Sequence, residues 1–128
     1  MANNKEKTDK RKILIVDDEL DACQAIASYL RKRGFQAEES PDAYNALTVI
    51  KNDLPDLIIL DVVMPKMDGF ELLKILKNDN KFCRIPVIML TVKSSAKYVE
   101  KGISLEADFY LPKPFVMDNL MDFINTVL

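Results

Sequence analysis

Short aliphatic runs constrain the fold of this 128-residue chain more than any other feature of its sequence. In the run Leu57–Leu60 (LIIL) no polar residue alternates with the apolar ones, so a strand formed there must be buried on both faces. A parallel sheet covered by helices on both sides provides such burial. The sequence therefore predicts an α/β fold with a doubly wound, five-stranded parallel sheet and helices on both faces.

Segments with helical spacing of apolar residues alternate with these runs, which is the pattern of βαβ units. Five strands and five helices are predicted. The second helix is expected to begin with Ser40 as its N-cap, and the fourth with Ser94 or Ser95. Asp68 and Glu71 form a predicted capping box at the start of the third helix. The predicted strands span residues 13–16, 35–39, 57–60, 87–90 and 109–111.

Length and composition fit one globular domain over residues 13–128, preceded by a disordered polar tail over residues 1–12. A net charge of -2 argues against direct binding of nucleic acid, which usually needs a basic surface. The sequence has no apolar run as long as a membrane span, no apolar signal-peptide core at its start and no CxxC pair. We therefore expect a cytoplasmic domain that does not associate with membranes.

Polar residues follow the predicted strands at their carboxyl ends. In a doubly wound sheet, function gathers at that edge, near the switch in strand order. A polar residue can simply end a strand and an acid can simply begin a helix, but several reactive groups at one edge indicate a site. These groups are Asp17, Asp18 and Glu19 after the first strand, Asp61 after the third, Thr91 after the fourth and Lys113 after the fifth.

Carboxylates gathered within a few ångströms repel one another and need a positive partner. Oxygen ligands suit a hard divalent cation that keeps part of its water, and Mg²⁺ fits that description best. Borderline metals would favour histidine or cysteine, and the chain has no histidine. Asp17 and Asp18 also argue against a flavin or nicotinamide phosphate at the first turn, since that phosphate would face like charge.

The motifs at these strand ends resemble the receiver domain of two-component response regulators, the CheY-like family. Asp17 and Asp18 follow ILIV, LDVVMPKMDG carries Asp61, MLT ends in Thr91, and YLPKPF carries Lys113. The motifs fall in the family's order, and the resemblance extends from about residue 13 to the last residue. It implies a flavodoxin-like strand order, 2-1-3-4-5.

The resemblance also implies a function. Asp61 would accept a phosphoryl group from a phosphohistidine on a sensor histidine kinase or a histidine phosphotransfer protein. Thr91 would bind a phosphoryl oxygen, and Lys113, followed by a cis peptide bond to Pro114, would neutralise phosphoryl charge. The domain would not be an enzyme beyond catalysing its own phosphotransfer and slow autodephosphorylation. The implied Mg²⁺ ligands are Asp17, Asp18, Asp61 and the backbone carbonyl of Val63.

A switch pair would carry the signal. Thr91 would move toward the phosphate and the Tyr110 ring would turn inward, which changes the face formed by helix 4, strand 5 and helix 5. That face would recruit a downstream effector protein, an output domain or a second copy, so a monomer or a phosphorylation-dependent dimer is expected. Asp118 and Asp122 leave helix 5 with little basic charge, so the charge-paired dimer of one DNA-binding subfamily is not supported.

Several positions depart from the family's pattern or set its kinetics. Val92 stands where the family usually has a small residue, and its branched side chain is expected to narrow the approach to Asp61. Glu106 stands where a glycine is frequent, which allows a different loop after helix 4. Val63 and Lys93 lie at the positions that tune phosphate lifetime. An apolar Val63 cannot orient an attacking water, so a fairly stable phosphoryl group is predicted.

Two other functions remain open from the sequence. A receiver-like module could bind proteins constitutively without being phosphorylated, and Val92 is the main feature that favours this alternative. A phosphatase of the haloacid dehalogenase type would use an aspartyl nucleophile and a second acid two residues later. Val63 occupies that position here, which disfavours the phosphatase.

Overall fold

The structure, a computed structural model, describes residues 11–92 and 96–128. These residues contain five strands and five helices, and the strands form one parallel sheet in the order β2-β1-β3-β4-β5. The doubly wound α/β fold and its strand order are therefore confirmed. The elements are β1 (Lys12–Val16), α1 (Leu20–Lys32), β2 (Gln36–Ser40), α2 (Ala43–Asn52), β3 (Leu57–Asp61), α3 (Gly69–Lys77), β4 (Val87–Thr91), α4 (Ala96–Ser104), β5 (Phe109–Pro112) and α5 (Met117–Val127).

The aliphatic runs form the centre of the sheet. Every residue of β3 and of β4 is buried, as the lack of alternation in their sequences predicts. Successive residues of one strand enter opposite cores: Ile58 packs in one apolar cluster and Ile59 in the other. Each cluster is completed by helices on its side of the sheet, so both faces are withdrawn from water.

The strand register brings four carboxyl ends to one edge. Val16 pairs with Leu60, and Asp61 pairs with Leu90 in the next strand. Thr91 pairs with Pro112, and the backbone N–H of Lys113 donates to the Thr91 carbonyl at 2.8 Å. The residues that follow β1, β3, β4 and β5 are therefore neighbours, whatever their separation in the sequence.

Several predicted boundaries are wrong by one or two residues. β1 begins at Lys12, which the sequence assigned to the tail, and Lys12 Nζ lies 2.8 Å from both Glu38 Oε1 and Asp53 Oδ2. β2 spans 36–40 rather than 35–39. The N-cap of α2 is Asp42 and not Ser40, because the Ser40 carbonyl is already paired with the Asp17 N–H across the sheet. The Asp42 side chain accepts the capping hydrogen bond from Asn45 N at 2.7 Å.

The third helix begins as predicted. Asp68 Oδ1 accepts from Glu71 N at 2.9 Å, and Glu71 Oε1 accepts from Asp68 N at 3.0 Å, which is a complete capping box. A Cβ at the next residue, Gly69, would lie 2.3 Å from the carbonyl oxygen of Asp61. Glycine is therefore required where α3 packs against the end of β3.

Some predictions fall on residues that the structure does not describe. The tail is described only from residue 11 onward, so its predicted disorder over residues 1–10 lies outside the described residues. Lys93 and the alternative N-caps Ser94 and Ser95 also lie outside them.

Helix α4 ends in a left-handed residue that is not glycine. Glu106 has a φ of 70°, and its N–H donates to the Ile103 carbonyl at 2.9 Å. The N–H of Ala107 donates to the Gly102 carbonyl at 3.0 Å, which completes a Schellman motif. The loop thus has the left-handed turn that a glycine would favour, with Glu106 at the left-handed position.

We expect Glu106→Gly to raise the free energy of unfolding by about 0.5–1 kcal/mol, because relief of left-handed strain exceeds the added entropy of the unfolded chain. Urea unfolding measures the change. Glu106→Ala is the matched control, since alanine retains the Cβ and should not stabilise the protein. Equal stabilisation by both variants would show that side-chain charge, and not backbone strain, controls this position.

Candidate functional site

A cavity of about 310 Å³ opens at the carboxyl edge of the sheet. It lies where the residues after β1, β3, β4 and β5 converge. The side chains around it are mostly charged, with two apolar ones at the rim. The lining residues are Asp18, Glu19, Asp61, Val63, Val92 and Lys113.

Three carboxylates meet at this cavity. Asp17, Asp18 and Asp61 each present a carboxylate oxygen, and these oxygens all lie within 4.8 Å of one another. Asp17 and Asp61 are buried, with 2% and 5% of their surface exposed, whereas Asp18 is exposed. Asp17 Oδ1 accepts a hydrogen bond from the N–H of Glu19 at 2.9 Å, which fixes its side chain at the start of α1.

Lys113 provides positive charge to this cluster. Its Nζ donates to Asp17 Oδ2 at 3.0 Å and lies 3.7 Å from Asp61 Oδ1 and 3.9 Å from Glu19 Oε1. The Lys113–Pro114 peptide bond is cis, as the resemblance implied. Burial by itself would lower the pKa of Lys113, but the hydrogen bond to Asp17 and the attraction of Asp61, Asp17 and Glu19 raise it overall. The ammonium group is therefore charged at neutral pH.

The electrostatic environment of Asp61 favours its protonated form. Its pKa is raised to about 6 overall; burial is the largest cause, and the neighbouring charges of Asp17 and Asp18 act in the same direction. Lys113 and a hydrogen bond from the backbone N–H of Val63 act in the opposite direction. The Lys113 ammonium thus compensates this carboxylate only in part, which leaves room for a further cation.

The remaining predicted site residues lie around this cluster at different depths. Thr91 is fully buried at the end of β4. Val63 and Val92 are 45% and 67% exposed at the rim of the cavity. The expectation that Val92 slows access to Asp61 stays a prediction.

Tyr110 does not line the cavity and lies beside it in an aromatic row. Its ring stacks on Phe70 with centroids 6.4 Å apart, and Phe70 stacks on Tyr98 at 6.3 Å. Burial, followed by the influence of Tyr98 and Asp61, raises the pKa of Tyr110 to about 12. Sequence reasoning missed Phe70 and Tyr98, although an aromatic residue directly after the Asp68–Gly69 helix start was a usable signal.

The donor set fits a hard divalent cation. The clustered ligand atoms are carboxylate oxygens, and one of the three acids is accessible from solvent. The partial compensation of Asp61 supplies the electrostatic reason for a cation to bind there. Asp17, Asp18 and Asp61 could therefore hold a metal ion together.

Comparison with known proteins gives a consistent result. The family model described as response regulator receiver domain matches residues 13–125. Response regulator MprA from Mycobacterium sp. (strain KMS) is 33% identical over 117 residues, which are 91% of this chain and 50% of that protein. Among solved structures, chemotaxis protein CheY4 of Vibrio cholerae superimposes with a TM-score of 0.88 at 32% identity, covering 94% of this chain and 100% of that chain. The signal receiver domain of a signal transduction histidine kinase from Syntrophus aciditrophicus superimposes with a TM-score of 0.86 at 33% identity, covering 92% of this chain and 89% of that chain.

The chain belongs to the response regulator receiver domain family. Members of this family are signalling domains and not ordinary enzymes, so the phosphatase alternative is set aside. The chain spans about half the length of the curated mycobacterial relatives it matches. No helix among the described residues combines the length and the apolar character that a membrane span requires.

We expect Asp61→Asn to stabilise the protein at pH 8 in the presence of EDTA, by about 1–3 kcal/mol. The pKa of Asp61 is about 6 in the folded protein, above that of an exposed aspartate. Between about pH 4 and pH 6, the folded protein therefore retains a proton on Asp61 that the unfolded chain releases. The free energy of unfolding falls as the pH rises through this range, because the carboxylate must then be ionised in the folded protein.

Urea unfolding at pH 4 and pH 8 measures this dependence. The stabilisation by Asp61→Asn should be largely absent at pH 4. Asp21→Asn is the matched control and should stabilise the protein at neither pH, because Asp21 is an exposed acid whose charge favours the first turn of α1. A destabilised Asp61→Asn at pH 8 would contradict the predicted electrostatic cost.

Proposed function

We propose that the domain is a phosphoacceptor switch of a two-component system. Asp61 accepts a phosphoryl group from a phosphohistidine on a sensor histidine kinase or a histidine phosphotransfer protein. The reaction depends on Mg²⁺ and takes place in the cytoplasm. The phosphorylated domain then signals to an effector protein or an output domain through the α4-β5-α5 face.

One observation carries the proposal. Asp61 lines a cavity, and the Lys113 ammonium lies 3.7 Å from its Oδ1. Carboxylate oxygens of Asp17 and Asp18 lie within 4.8 Å of a carboxylate oxygen of Asp61. A nucleophilic carboxylate, a fixed cation and a set of metal-type ligands are the parts that phosphoryl transfer requires. Membership in the receiver family supports the same reading.

The transfer exchanges one bond to phosphorus for another. A carboxylate oxygen of Asp61 attacks phosphorus in line, the bond from phosphorus to the imidazole nitrogen of the donor breaks, and its electron pair stays on that nitrogen. The product is an acyl phosphate on Asp61. Because the pKa of Asp61 is about 6, most of the carboxylate is ionised at pH 7.5 and able to attack.

Neighbouring groups stabilise the negative charge on the oxygens of the transferred phosphoryl group. Lys113 stabilises its oxygens electrostatically, and the hydroxyl of Thr91 donates a hydrogen bond to one of them. Mg²⁺, when bound, would neutralise further phosphoryl charge. Its ligands would be Asp17, Asp18, Asp61 and the carbonyl of Val63.

The signal would leave the site through Thr91 and Tyr110. When Thr91 moves toward the phosphoryl group, the Tyr110 ring follows and the α4-β5-α5 face changes shape. The stacking of Tyr110 on Phe70, next to α4, supports such a link. Because α5 carries Asp118 and Asp122 and no basic residue in its last turn, basic groups of a partner suit the α5 side of this face.

Intact mass after brief incubation with acetyl phosphate tests phosphorylation. We expect one added phosphoryl group with Mg²⁺, no addition with EDTA and no addition in Asp61→Asn. Asp21→Asn is the control and should be modified like the wild type. If Mg²⁺ binds but no adduct forms, the domain is instead a constitutive binding module, and Val92→Ala would then show whether the valine blocks access.

The lifetime of the phosphoryl group tests the role assigned to Val63. An apolar side chain there cannot orient a water for attack on the acyl phosphate, so Val63→Asn should shorten the lifetime several-fold. Leu54→Asn, at an exposed apolar residue outside the site, is the control. The lifetime is measured by following the phosphorylated fraction over time by intact mass. An unchanged lifetime in Val63→Asn would contradict this role.

A further inference from the structure

Gly102 creates a recess in α4 that the ring of Tyr110 fills. The residue lies inside the helix and is buried. Glycine in a helix interior is less favourable than alanine because its backbone loses more freedom on folding. A buried helical glycine therefore needs a packing reason, and Tyr110 supplies one.

The geometry identifies the group that would meet a side chain at this position. A Cβ built on Gly102 would lie 2.7 Å from Cδ2 and 3.1 Å from Cε2 of Tyr110, while the next atom, Cε1 of Phe70, is at an ordinary 3.7 Å. The two closest atoms thus belong to one side chain and not to the backbone. Any methyl group at residue 102 would force the Tyr110 ring to rotate before it forced α4 to move.

The packed ring of Tyr110 connects α4 to the end of β3, where Asp61 lies. Tyr110 stacks on Phe70 at an interplanar angle of 18°, and Phe70 follows Gly69, whose backbone lies against the carbonyl of Asp61. Phe70 also stacks on Tyr98 of α4. The ring thus packs within a continuous layer between α4 and the end of β3.

We propose that Gly102 is a positioning residue, which selects the packed placement of the Tyr110 ring over an exposed one. With alanine at this position the ring is displaced from the recess. The signalling consequence rests on the function proposed above: a ring held against α4 couples a movement of Thr91 to the α4-β5-α5 face, and a displaced ring does not.

The titration of Tyr110 agrees with the packed placement. Burial is the main cause that raises its pKa to about 12, and the charge of Asp61 on β3 and the neighbouring Tyr98 on α4 add to it. Lys101 of α4 also lies beside this layer, with its Nζ 4.9 Å from the Phe70 ring centroid. An exposed tyrosine has a pKa of about 10, so the ring's position determines its ionisation.

A double-mutant cycle tests the contact. Gly102→Ala should lower the thermal midpoint of the wild type, whereas in a Tyr110→Ala background the same change should raise it by about 3–5 °C, because the methyl group then fits and alanine favours the helix. Stabilisation in both backgrounds, or equal destabilisation in both, would overturn the proposal.

A spectroscopic readout separates positioning from general stability. With ¹³C-labelled tyrosine, the Cζ resonance of Tyr110, assigned by Tyr110→Phe, should report a neutral ring at pH 10.5 in the wild type and a largely ionised ring in Gly102→Ala. An unchanged ionisation state in a folded Gly102→Ala would overturn the proposal. Both measurements are made without Mg²⁺ or a phosphodonor, so their outcome is independent of whether Asp61 is phosphorylated.

Discussion

The contact between the Lys113 ammonium and two buried carboxylates is the interaction on which the carboxyl edge of the sheet depends. Nζ lies 3.0 Å from Asp17 Oδ2 and 3.7 Å from Asp61 Oδ1, and both carboxylates are buried. Buried charges without a partner would cost several kcal/mol each. The backbone N–H of Lys113 also bonds to the Thr91 carbonyl, so one residue joins β5 to β4 and compensates charge on β1 and β3.

This compensation is unequal between the two buried carboxylates. Asp17 receives a hydrogen bond from Lys113 and another from the Glu19 N–H, whereas Asp61 lies farther from the ammonium and keeps a pKa of about 6. Of these two buried carboxylates, Asp61 is the one that lines the cavity. The two are thus distinguished by their distance to the Lys113 ammonium, and the proposed function assigns the reactive role to Asp61.

Most of the fold could be predicted from the sequence because uninterrupted aliphatic strands permit few arrangements. The strand ends followed from the same pattern, so Asp17, Asp18, Asp61, Thr91 and Lys113 could be assigned to one edge. The N-cap of α2 could not, since Ser40 and Asp42 are both suitable caps and the choice depends on a hydrogen bond across the sheet. The recess at Gly102 could not be predicted either, because a glycine inside a helical pattern does not reveal which side chain fills the space.

The proposed function requires that Asp61, and not another acid of the cluster, forms the acyl phosphate. Borohydride reduction of the phosphorylated protein identifies the acceptor, since an aspartyl phosphate is reduced to homoserine while free carboxylates are left intact. Peptide mass spectrometry then locates the converted residue. We expect homoserine at position 61 and aspartate at positions 17 and 18. Homoserine at position 17 or 18, or phosphate retained after reduction on a serine or threonine, would contradict it.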